Sequence, residues 1–160
     1  MIQGFTINSF FGDICTEDNR IDTTVASTQI RFLVKFINDM DGSIAYCYPG
    51  LNLGIKPRFT DMSFQYHIAA DMFLGQQNLL PAGHWKYEVY EVSWIGAVVL
   101  SKTTAPSTET DVLPVADTNG VVQGIVTKGI LNLTEKSGTE QVKYTQHTEP
   151  IGTNTIYYGQ

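Results

Sequence analysis

Charge and histidine are the scarcest resources of this sequence. Asp, Glu, Lys and Arg make up 16% of its 160 residues, against roughly 25% in an ordinary soluble domain, and there are three histidines. Thr, Ser, Asn, Gln and Gly take the place of the missing charge. A surface of that kind is weakly protected against association, which favours a protein that lives inside an assembly. The ten basic residues stand singly along the chain, and the formal net charge is −6. Phosphate neutralisation needs clustered Lys and Arg, so direct nucleic-acid binding is not expected.

Cysteine is almost absent. Cys15 and Cys47 have no C-x-x-C spacing, which implies neither a disulfide framework nor a zinc site with four N or S ligands. Both are expected as small buried thiols. No run approaches the ~18 apolar residues of a membrane span, so no membrane partner is expected. The opening residues 1–13 carry no basic stretch followed by a continuous apolar one, and no secretory signal peptide is expected there.

Catalytic signatures are missing too. The chain has no H-E-x-x-H, G-x-S-x-G or H-x-H, and no G-x-x-x-x-G-K-S/T or G-x-G-x-x-G to cradle phosphate. His67 falls on a predicted strand and His147 in a polar C-terminal stretch. His84 and Glu88 fall on one predicted strand, where four residues separate their Cβ atoms by ~13 Å, too far to share a metal. Asp39 and Asp41 in D-M-D-G lack the later ligands of a calcium loop, so that tetrapeptide reads as a turn. The expectation is a protein that is not an enzyme and holds no cofactor or metal.

What the chain does have is alternation. In residues 81–95, P-A-G-H-W-K-Y-E-V-Y-E-V-S-W-I, a turn runs into a strand with Trp85, Tyr87 and Val89 on one face and Lys86, Glu88 and Tyr90 on the other. Residues 29–38 alternate in the same way through Ile30, Phe32, Val34 and Phe36, followed by a D-G turn and a returning strand over 43–48. Residues 52–56 read as irregular, 59–68 as a strand, and 69–75 as a helical turn. Residues 94–100 read as the partner of the Trp85 strand. Residues 121–134 read as a long strand with bulges at Gly124 and Gly129, and 141–145 and 155–158 as the last strands. About seven or eight strands at this spacing predict an all-β, immunoglobulin-like β-sandwich in preference to a barrel.

Two segments stand outside that pattern. Residues 1–24 read as an extended arm anchored by Phe5, Ile7, Phe10, Phe11 and Ile14, although a first strand with a loop fits the same residues. Residues 101–120, rich in Thr, Ser and Pro, read as a functional loop or a flexible insertion. The expected organisation is an arm over 1–24 and a sandwich over 25–160 carrying an inserted loop, 101–120. The aromatics Trp85, Trp94, Tyr46, Tyr48, Tyr66, Tyr87 and Tyr90 suit a core, a protein interface or a sugar-stacking platform.

G-H-W-K-Y-E-V-Y-E at residues 83–91, then a variable loop, then G-I-L-N-L at 129–133, resembles small Ig-like virion proteins of tailed bacteriophages, notably the crAss-like and marine Bacteroidetes-infecting kinds. The strand running from Phe32 to Asp39 and the terminal Tyr157-Tyr158 fit the same pattern. The resemblance covers Thr28 to the C-terminus and departs in residues 1–24 and 101–120. It implies a non-enzymatic structural protein, made in the host cytoplasm and residing in the virion. An auxiliary or decoration capsid protein, or a head-fibre base, fits first; a tail, neck or fibre-adaptor protein is the alternative. The implied partners are the major capsid protein, portal or tail components, or a second copy. Phe5, Phe10 and Phe11 on the arm and Val112, Leu113 and Val115 on the loop would make the contacts, so that deleting residues 1–20 should leave the sandwich folded. A carbohydrate-binding module is the competing class and requires Trp85 or Trp94 to lie exposed.

Overall fold

The computed structural model describes residues 1–136. Among the described residues nine strands form in chain order: β1 (Ile2–Phe5), β2 (Phe10–Ile14), β3 (Ile30–Asn38), β4 (Ile44–Cys47), β5 (Gly50–Ile55), β6 (Thr60–Tyr66), β7 (Gln76–Gln77), β8 (Gly83–Ser93) and β9 (Val121–Thr134). They make two sheets, β1-β9-β8-β3-β4 and β2-β6-β5, with β7 added beside β6. Every pairing is antiparallel except β1 with β9 and β6 with β7. The result is a β-sandwich.

Alternation decides what fills it. Ile30, Phe32, Val34 and Phe36 of β3 and Trp85, Tyr87 and Val89 of β8 point between the sheets, where they meet Phe10, Ile14, Met62 and Phe64 of the smaller sheet. The three rings of Phe10, Phe36 and Phe64 pack on one another, Phe10 stacked on Phe64 at 4.9 Å and Phe36 edge-on to both. Gly129 stands opposite Tyr87 in the β8–β9 register. A Cβ there would lie 2.4 Å from the Tyr87 hydroxyl, so the missing side chain makes room for the ring.

Several expectations need correction. Residues 1–24 are not a separate arm, because β1 completes one edge of the large sheet and β2 one edge of the small sheet. Deleting residues 1–20 would therefore strip the core of Ile2, Phe10 and Ile14. Residues 50–55 form β5 where irregular chain was expected, and residues 94–100 form no strand; β8 pairs instead with β3 and β9. The register of β9 slips at Val126 and at Gln123, so one bulge adjoins Gly124, whose φ is +147°, and none falls at Gly129. Cys47 is buried but Cys15 is exposed. The strands expected over 141–145 and 155–158, His147 and the Tyr157-Tyr158 pair lie outside the described residues.

Candidate functional site

From Glu91 onward both faces of β8 are buried, because residues 94–120 fold back over the outside of the large sheet. Leu33, Tyr48, Val92, Trp94 and Ala105 make a second apolar cluster there, with Phe73, Val98, Leu100 and Val122 packed against it. The Thr/Ser/Pro-rich segment is therefore a third layer over half the sheet, and Ala105 is its buried plug.

Polar contacts pin this layer at several points. The Tyr48 hydroxyl donates to the Pro106 carbonyl at 2.7 Å. Lys35 Nζ and the Tyr46 hydroxyl donate to the two carboxylate oxygens of Glu109, each at 2.5 Å. Beside them the Tyr90 hydroxyl donates to Glu88 at 2.8 Å. Burial and then the neighbouring carboxylate hold Tyr46 and Tyr90 well above the ordinary phenol value. Burial works against ionised Glu109, but the hydrogen bonds from Lys35 and Tyr46 outweigh it and lower its pKa. Asp111 accepts the backbone N–H groups of Ser107 and Thr108, and these bonds lower its pKa.

The far end of the layer is closed on itself. Asn119 Nδ2 donates to the Pro114 carbonyl at 2.8 Å, and Gly120 N–H to Thr104 at 2.8 Å. A Cβ on Gly120 would strike the Trp94 ring at 2.5 Å, so the chain can pass over that indole only without a side chain. Between these ties the tip stands out: Val112 and Val115 are 93% and 101% exposed, and Leu113 is half-buried.

The residues expected to make contacts are thus divided. Phe5 and Phe11 are exposed on two different edge strands, and Val112 and Val115 crown the loop. Phe10 is a core residue and faces no partner, because the two-residue period of β2 turns it inward when Phe11 faces out. Neither indole is available for stacking a sugar: Trp85 and Trp94 are 2% and 1% exposed. Lys35, Tyr46 and Glu109, which fix the loop, were not distinguishable beforehand, since Glu109 has no periodic neighbours to mark it. No group of three or more His, Cys, Asp or Glu side chains able to hold a metal occurs among the described residues.

No protein-family model matches the chain, and no curated protein or solved structure matches it either.

Proposed function

We propose that the chain is a non-enzymatic structural protein of a tailed-phage virion, docking on a neighbouring virion protein through the tip at residues 112–115. The observation that carries this is a loop tied down at its base yet presenting two fully exposed valines. An apolar tip on a pre-ordered loop gives up little conformational freedom when it binds, and each valine buried on a partner contributes about 1.5–3 kcal/mol.

Two further features support the reading. The strand order β1-β9-β8-β3-β4 facing β2-β6-β5 suits an immunoglobulin-like arrangement, in which the last, penultimate and third strands form one sheet with an added strand beyond the third. The low charge of the sequence suits a surface covered by neighbours. Auxiliary capsid protein or head-fibre base is the preferred position, with the major capsid protein as partner.

Quantitative mass spectrometry of purified particles tests this. Wild-type copies near one per capsid subunit are expected, and the double variant Val112→Asp, Val115→Asp should fall at least about tenfold while keeping its fold. A wild-type ratio of a few per cent would move the protein to the tail or neck. Undiminished incorporation of the double variant would remove the tip as the contact, and absence of the wild type from particles would remove the virion role.

A further inference from the structure

A cleft of about 560 Å³ opens between the start of β3, the turn joining β4 to β5, and the turn around Phe73. Its walls mix polar groups, among them Ser27, Thr28 and Arg31, with the apolar side chains of Leu51, Ile55, Phe73 and Leu100, and none of its lining side chains is acidic. Phe73 is fixed in place by stacking on the Tyr48 ring, centroids 5.9 Å apart. The volume falls in the range of small-molecule sites, roughly 300–1,000 Å³.

Arg31 is the cation of this cleft, and its surroundings are unusual for the molecule. Among the described residues three cations are half-buried: Arg20, Arg31 and Lys35. Arg20 pairs with Glu17, and Lys35 with Glu109 and Glu88. Arg31 has no carboxylate partner among the described residues. Its Nη1 donates to the Ile30 carbonyl at 2.7 Å and the Thr28 carbonyl at 3.3 Å, which orients the guanidinium plane. Nε and Nη2, the two parallel donors that grip a carboxylate side-on, make no hydrogen bond to any described residue. Partial burial lowers the Arg31 pKa, the mark of a cation short of solvent and of counter-charge. A planar fork of this kind matches a carboxylate with two parallel bonds.

We propose that this cleft binds a small organic carboxylate with an apolar or aromatic body. The carboxylate is held by Nε and Nη2 of Arg31, and the body lies against Phe73, Leu51 and Leu100. Apolar side chains beside a single fixed fork favour such a ligand over inorganic anions, which gain nothing from them. The site is independent of the loop tip and stands whether or not the virion role holds.

Phenylacetate titrated into the full chain, followed by two-dimensional NMR, is the test. Saturable shifts are expected at the Arg31 Nε–H and at the Phe73 and Gly75 amides. Phenylacetamide, which keeps the ring and loses the charge, should bind at least about tenfold more weakly, the share of a charge-assisted hydrogen bond. Arg31→Gln should weaken phenylacetate by a similar factor, with Phe73→Ala as a second variant that leaves the cation in place. No saturable shift at millimolar phenylacetate would overturn the proposal, as would equal binding of phenylacetamide or of inorganic phosphate. Because the ligand comparisons use the unaltered protein, they decide the matter even if a variant folds poorly.

Discussion

Phe10 and Phe11 are neighbours in sequence and opposites in environment. Phe10 is 5% exposed and stacked in the core, whereas Phe11 is 63% exposed. Phe10→Ala should cost about 3–5 kcal/mol in urea unfolding, and Phe11→Ala should stay within about 0.5 kcal/mol. Similar losses for the two would contradict the register of β2. Glu91 makes the same point for a polar side chain. It is 1% exposed, yet its carboxylate accepts the backbone N–H groups of Ile21 at 3.1 Å and Asp22 at 2.7 Å. It thereby fastens the chain that links β2 to β3 across the end of the sandwich. Glu91→Ala should destabilise by about 1–3 kcal/mol through the bonds left unmade. Glu91→Gln keeps an acceptor and should recover part of that loss in the same unfolding assay.

At the scale of elements, the layer over the large sheet carries the pH dependence. Glu109 has its pKa lowered on folding, so its stabilising contribution is present above the ordinary value of 4.5 and is lost as pH falls through its folded value. Tyr46 and Tyr90 are raised, so their contribution is complete below the ordinary value of 10.0 and declines as pH rises past it. The layer should therefore hold best between these limits. NMR shifts of the Ala105 and Glu109 amides should titrate together with an acid midpoint below 4.5; a midpoint at or above that value would mean that Lys35 and Tyr46 do not hold Glu109 in solution. The strands beneath were legible because Ile30, Phe32, Val34 and Phe36 of β3 and Trp85, Tyr87 and Val89 of β8 recur at every second position. β5 was not, since Gly50 and Gly54 break its period, and its pairing with β6 is irregular between Leu51 and Ile55. Residues 94–100 carry apolar side chains for a different reason from a strand's: Trp94, Val98 and Leu100 pack downward onto the outer face of the sheet.

The described residues form three layers, and the third is needed to close the second core. Replacing residues 101–119 with a short Gly/Ser linker would uncover Leu33, Tyr48 and Val92, all at most 1% exposed. The variant should bind a hydrophobic dye such as ANS and self-associate, while a dye-silent monomer would show that the sheet does not need its cover. The same organisation separates the two proposed sites in space. The exposed valines crown the covering loop, while Arg31 lines a cleft that shares Tyr48, Phe73 and Leu100 with the apolar cluster under the loop layer.

Alternation is a property of neighbouring residues. It was enough to settle the all-β class and the inward faces of β3 and β8. Which strand lies beside which, and what covers a second apolar face, depend on contacts between residues far apart in the chain, and no local pattern records them. That is why an apparent arm proved to be an edge of each sheet, why a polar loop proved to be a layer, and why Arg31 stood out only once the fold was seen to leave it without a counter-charge among the described residues.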